Sequence, residues 1–385
     1  LNRIATLIYS ASGQMSAVIN GLGARTSYIY DASGNRTAIQ DALNNLTTTI
    51  YDASNRTQST VNALNYRTSF SYDAVGRQQS VTDANNHTTT TTYLATGQVQ
   101  STQDALGNLT TFTYDAVGNN TAVQDALGNL TTTVYDALHR ATAVVNALGN
   151  RTSFTYDGVG NQTTVKDARG NITTNTYTAN NQLLAVRRPG TLITTYSYDA
   201  IGRVSTMMDA SSQVSTRSYD ANSNLLGIQY PVGTEWVTFT YDTLNRLKSM
   251  QDSNAITTNT YSVRGELVTQ VDAGIYTLSY AYDGVGNRTL LVNPDSGRFT
   301  YTYDAANRVS TVKNPDGRIL TYQYDATSNL TTVSTGLGDV RKMQYDAVGN
   351  KTTQIDSNGS TVVTQVDTYD GVGNRTTRSQ DGTLT

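Results

Sequence analysis

Short runs rich in Thr, Val, Ile and Tyr alternate along the chain with polar clusters of Asp, Asn and Gly. Leu109–Tyr114 and Leu130–Tyr135 are typical runs. Their length and β-branched content predict strands. Every second run ends in a tyrosine. These tyrosines are evenly spaced, one at every twenty-first position, at Tyr9, Tyr30, Tyr51, Tyr72, Tyr93, Tyr114, Tyr135, Tyr156, Tyr177, Tyr198 and Tyr219. After one step that is longer by one and one that is shorter by one, the series continues at Tyr241, Tyr261, Tyr282, Tyr303, Tyr324 and Tyr345. It closes at Tyr369. A unit this small cannot bury a core of its own, so neighbouring units must pack on one another.

The polar clusters predict turns. Between Tyr114 and Tyr135 the pattern D-A-x-G-N occurs twice, at Asp115–Asn119 and Asp125–Asn129, so each unit is two similar halves of nearly equal length. Asp first, Ala next and Gly fourth suit a type I turn closed by a glycine bulge, because Asp bonds nearby amides and Gly supplies φ > 0. The fourth position of the second turn holds Gly23, Asn44, Asn65, Asn86, Gly107, Gly128, Gly149 and Gly170, the residues that best tolerate the left-handed region. Pro189, Pro231, Pro294 and Pro315 all fall on the second position of that turn, where a fixed φ fits.

Connections this short join only antiparallel neighbours. The fold expected is all-β: about 18 tandem antiparallel β-hairpin repeats, each spanning one tyrosine step, with some 36 strands in all. Twist forbids a flat sheet of that width, so it should spiral into a hollow tube or shell. Residues 1–385 read as one continuous array, and the opening Leu1-Asn2-Arg3, already inside a repeat, reads as part of a longer protein.

Two longer periods overlie the repeat. Two positions before the tyrosine, and on the same face, every second unit carries an aromatic: Tyr28, Phe70, Phe112, Phe154, Tyr196, Phe239, Tyr280 and Tyr322. Tyr301 breaks this alternation. The aspartate after the tyrosine is missing at Ser10, Leu94, Thr178 and Ser262, each four units from the last. Either a block of four units is a duplicated genetic element or it is one turn of the spiral, with like residues stacked over like.

The chain has a net charge of −3, 15% charged residues and no cysteine. It offers no basic stripe for nucleic acid, no apolar run long enough to span a bilayer, and no disulfide or thiolate metal site. His87 and His139 sit at turns without converging partners and read as solvated. Met207 and Met208 read as packing. The turn aspartates are accounted for by turn chemistry rather than by calcium, which needs several oxygens around one ion. No nucleophile elbow is present. The sequence therefore points to no catalytic, cofactor-binding or metal site and to a non-enzymatic protein. N-x-[ST] sequons at Asn35, Asn45, Asn108, Asn129, Asn150 and Asn171 are candidate glycosylation positions, although a turn Asn before a strand Thr creates them automatically. Tyr30, Tyr51, Tyr72, Tyr114, Tyr135, Tyr156 and Tyr198 are the expected structural residues, lining an internal ladder. A sugar-binding surface is the competing use of such aromatics.

The Y-D-A-x-G-N-x-T units at Tyr30–Thr37, Tyr114–Thr121, Tyr156–Thr163 and Tyr282–Thr289 resemble RHS/YD repeats, and the resemblance covers essentially the whole chain. It implies hairpin sheets spiralling into a hollow shell, as in polymorphic toxins, toxin-complex subunits, wall-associated proteins and teneurins. In the toxins such a shell encloses a cleaved effector. The D-P-x-G-L closing motif of the toxins is absent, so their self-cleavage has no residues to be carried over. A rigid extracellular or cell-surface tube, shell or fibre is the leading expectation, with self-association into a larger assembly. A toxin-enclosing shell around a polypeptide, and an adhesin for a surface glycan, are the alternatives.

Overall fold

The computed structural model describes residues 5–190, 192–231 and 235–384. Thirty-six strands, numbered in chain order from β1 (Thr6–Tyr9) through β2 (Met15–Ile19), β3 (Arg25–Tyr30) and β4 (Arg36–Gln40) to β36 (Arg375–Leu384), form one antiparallel meander. Each strand pairs with its sequence neighbours, as in β1–β2, β2–β3 and β3–β4. β1 and β36 each have one partner, so the sheet is not closed by strand pairing. No helix occurs among the described residues.

Both turns of most units adopt the expected form, whereas the second turns at Asp252 and Asp272 are shorter. In the tyrosine turn Gly34 N donates to Asp31 O at 3.1 Å and Asp31 N donates to Asn35 O at 3.0 Å. In the second turn Asn44 N donates to Asp41 O at 3.1 Å and Asp41 N to Asn45 O at 3.0 Å. The fourth residue is left-handed in each, with φ of 87° at Gly34 and 67° at Asn44. The two turns differ in the register of the strands they join. Across the tyrosine turn Ile29 faces Ala38 but Tyr30 faces Arg36, so Thr37 is an extra residue in a bulge. Across the second turn Gln40 faces Leu46 and Ile39 faces Thr47 without a slip. A bulge bends the sheet and increases its twist. Repeating it on one side of every unit makes the meander curl steadily one way.

The curl brings the sheet back on itself. Asn85 Nδ2 donates to Asp325 Oδ2 at 3.2 Å and to Thr327 Oγ1 at 2.8 Å, across separations of 240 and 242 residues. Arg308 stands 6.0 Å from the ring of Tyr66. A Cβ on Gly284 would meet those of Ala42 and Ala24. All are contacts between second turns of one wind and tyrosine turns of the next. One wind is therefore about eleven and a half units, or roughly 23 strands. The reading of four units as one turn of the spiral is thereby overturned, because the bulge at each unit bends the sheet too gently to close it in eight strands.

The sheet is a single layer. It exposes 22568 Å², against about 15,000 Å² for a compact protein of its mass. Among the described residues, buried apolar side chains are few and mostly small: Ala17, Ala38, Ala143 and Met343. At roughly 4.8 Å per strand, 23 strands give a perimeter of about 110 Å and a width of about 35 Å, more if the strands tilt. The wall thus surrounds an open space.

Candidate functional site

The site this fold builds is its wall, and the tyrosine turn is its working part. Tyr30 reaches back to donate its hydroxyl to the carbonyl of Met15 at 3.0 Å. That carbonyl lies beyond the β2–β3 ladder, whose last pair is Ala17 with Ser27. The phenol thus occupies a backbone acceptor where the two strands part. Tyr51, Tyr72, Tyr135, Tyr156 and Tyr198 make the same bond, to the carbonyls of Arg36, Thr57, Asn120, Ala141 and Leu183. Tyr114 ends its strand in the same register, with Thr113 facing Ala122. Burial raises the hydroxyl pKa of Tyr198, Tyr282, Tyr303, Tyr324 and Tyr345.

The aspartate after the tyrosine folds onto its own turn. Asp31 Oδ1 accepts from Ser33 N and Asn35 N, both at 2.9 Å, and Oδ2 accepts from Asn35 Nδ2 at 3.0 Å. These bonds, led by that from the Asn35 side chain, hold its carboxyl below the usual range. Asp242 is pulled down to about 2, chiefly by its side-chain bond with Arg246. Every oxygen described for these carboxylates serves the turn, and among the described residues no three His, Asp or Glu side chains group as a metal site.

The fifth turn residue ties neighbouring turns together. Where it is Arg, as at Arg77, Nε bonds Asp73 Oδ2 at 2.6 Å, Nη1 donates to Leu94 O in the next tyrosine turn at 3.1 Å, and the guanidinium stacks 4.5 Å from the Tyr93 ring. Arg140 does the same with Asp136, Asp157 O and Tyr156. Where it is Asn, Asn35 Nδ2 also donates to Asn55 Oδ1 at 2.9 Å. The residue two places after it is the bulge residue: Thr37, Thr121 and Thr142 donate hydroxyls to the carbonyls of Ile29, Thr113 and Val134. Each named position of Y-D-A-x-G-N-x-T except the alanine thus has a bonding or conformational reason. Sequence reasoning identified the turn but missed the tyrosine bond, the Arg and Asn ties and the bulge threonine. The recurrence of Arg, Asn or Gln at the fifth position was the available signal for the ties.

Other expected positions fall into place. Cross-strand register puts Phe70 opposite Val81, Phe112 opposite Val123 and Tyr196 opposite Met207. His139 Nδ1 lies 3.1 Å from Asn119 Oδ1, and His87 Nδ1 lies 3.2 Å from Asp83 Oδ2. Among the sequon residues, Asn45, Asn108, Asn129 and Asn171 donate Nδ2 to Asp41, Asp104, Asp125 and Asp167. A glycan there would take one of the two Nδ2 hydrogens, and Asn35 already uses both. The turn of Asn150 opens with Asn146 instead of an aspartate, so no carboxylate of its own turn holds the exposed Asn150 amide.

A profile for the Teneurin YD-shell matches residues 54–259 and 187–321, which together span more than half of the chain. The chain belongs to the teneurin YD-shell family. The RHS repeat profile matches residues 9–49, 303–340 and 324–362 of this YD shell. No curated protein sequence matches it. Among solved structures, it is similar to TcdB2-TccC3-TEV at 15% identity and a TM-score of 0.64, covering 99% of this chain and 26% of that one. It is similar to TcdB2-TccC3 at 16% identity and a TM-score of 0.61, covering 99% and 24%. Similarity to TcdB2-TccC3-Cdc42 is 14% with a TM-score of 0.52, covering 98% and 27%. The YD shell described here thus spans about a quarter of the length of those chains, and the likeness is one of fold.

Proposed function

We propose that this chain is a non-catalytic wall: an RHS/YD shell that encloses space and holds its shape in an extracellular or cell-surface setting. The observation that carries this reading is the return of the ribbon onto itself after 242 residues, at Asn85 and Thr327, in a sheet with both faces open. Stiffness comes from repetition. Most units add two strand ladders, a tyrosine bond and a tie between adjacent turns, and none of these leaves a free carboxylate, nucleophile or imidazole poised for chemistry. Residues 1–385 act as one continuous array in this reading.

A wall of this width leaves room for a polypeptide, so an enclosed chain is the partner this geometry favours. An adhesin reading is less favoured. Tyrosine faces that could stack on sugars are covered by guanidinium groups at Tyr72, Tyr93, Tyr156 and Tyr219. Small-angle scattering of the purified chain tests the proposal. A hollow particle gives a pair-distance distribution weighted toward the wall-to-wall distance. A distribution peaked near the radius of a solid sphere of this mass would overturn it.

A further inference from the structure

Each wind of the ribbon has two rims of different kind, one of tyrosine turns and one of second turns. Within the chain they mate. A Cβ on Gly284 would stand 3.3 Å from Ala42 Cβ and 3.9 Å from Ala24 Cβ, and one on Gly371 would meet Asn108 and Ala126. Each of these tyrosine turns therefore nests between two second turns of the earlier wind, like interlocking teeth. Asn85, Asp325 and Thr327 add hydrogen bonds along the same seam.

Over the rest of the ribbon both rims are bare. On the tyrosine-turn rim the third turn residue is Val75, Val117, Leu138, Val159 or Ile201, and these are 67–74% exposed. In the seam the same position holds Val348 and Val372, each 42% exposed. On the second-turn rim Leu148 is 85% exposed, whereas Leu43, in the seam, is 43% exposed. At Gly158, which occupies the same turn position as Gly284 and Gly371, a Cβ would meet nothing within 4 Å. The bare tyrosine-turn rim extends over about one full wind, as does the bare second-turn rim. Each rim is the shape and chemistry that the other already accepts within the seam.

We propose that the occupant of these rims is a second copy of this chain, stacked head to tail so that the tyrosine-turn rim of one copy seats on the second-turn rim of the next. The contact is heterologous and does not close, so it propagates into a tube. The inference deepens the hollow-wall reading by naming its partner. It depends on the spiral but not on what the lumen holds, so its failure leaves that reading intact.

The test is the mass of the purified 385-residue chain in solution across a range of concentrations, with three proteins compared. The unmodified chain grows with concentration to dimers and longer stacks. A rim variant carrying Val75→Asp, Val117→Asp and Val159→Asp is monomeric, and so is Leu148→Asp on the opposite rim, each with unchanged circular dichroism. Mixed together the two variants form a one-to-one dimer and nothing longer, because one intact pair of rims remains. A wild-type chain that stays monomeric overturns the assignment and leaves the rims to another wind of the same polypeptide. Variants that assemble as well as wild type, or a mixture that does not pair, also overturn it.

Discussion

Two sets of tyrosine turns in this chain share a sequence pattern but not surroundings. Those around Gly284, Asp325 and Gly371 sit in the seam between winds, and those around Val75, Val117 and Gly158 line a bare rim. Inside the turns of Asp73, on the bare rim, and Asp325, in the seam, the bonds are the same: the aspartate accepts from its own amides, and the tyrosine before it holds a carbonyl of the preceding hairpin. The difference is external. It teaches that hairpin chemistry builds the ribbon and that contact between turn tips, which the repeat motif does not encode by itself, decides how the ribbon winds.

Substitutions at matched positions should separate the two contributions. The largest effect is expected at Gly371→Leu, where a Cβ would lie 2.9 Å from Asn108 Oδ1 and 3.3 Å from Ala126 Cβ. Overpacking of this kind costs about 1–3 kcal/mol, whereas Gly158→Leu on the bare rim should stay within about 0.5 kcal/mol of wild type. Thermal unfolding of both variants checks the contrast, and equal losses would break it. Next comes Asn85→Ala, which removes two bonds across the seam at about 1 kcal/mol each. Arg169→Ala, at the third position of a bare second turn, should be near neutral in the same assay.

Tyr156→Phe and Tyr345→Phe sharpen the comparison from the other side. Both phenols donate at 2.8 Å to a carbonyl 15 residues back, one beside the bare rim and one near the seam. Because this bond belongs to the ribbon, each loss should cost about 1 kcal/mol and the two should match. Denaturant titration reads this directly, and a large inequality would mean that the seam reaches into the hairpins.

The smallest effect is that of pH. The carboxyl of Asp242 is held at about 2, below its unfolded value of 3.8. Its contribution to stability is therefore fully present above the unfolded value and is lost as pH falls from about 4 toward 2. Asp31, Asp115 and Asp157 are lowered in the same direction, led by their bonded asparagines. The melting temperature should fall across this window, and Asp242→Asn should flatten a small part of the fall. A partly exposed ion pair such as this one contributes little, so high salt should narrow the difference.

Much of this was legible in the chain. Strand number, antiparallel order, turn type and the left-handed fourth residues follow from local rules, because each is decided within one hairpin. The spacing of the tyrosines was readable, but their hydrogen bond was not, since it joins strands whose parting point depends on the bulge. The winding number was illegible for a further reason. The four-unit period at Ser10, Leu94, Thr178 and Ser262 is regular in sequence, yet curvature accumulates from a small bend at every bulge, and no single residue records the total. Gly284 and Gly371, in place of the usual alanine, marked the tight points of the seam, but Gly158 carries the same substitution on the bare rim. The sequence signal alone could not tell them apart.

Turns separated by 242 residues meet across the seam, and turns four units apart do not. Because the chain has no cysteine, paired cysteines test this winding without background. Asn85→Cys with Thr327→Cys should join, by a disulfide or a short thiol crosslinker, within a single chain. Asn85→Cys with Arg169→Cys, four units apart and at equivalent turn positions, should not. Crosslinking of the second pair, with failure of the first, would contradict the winding described for this shell.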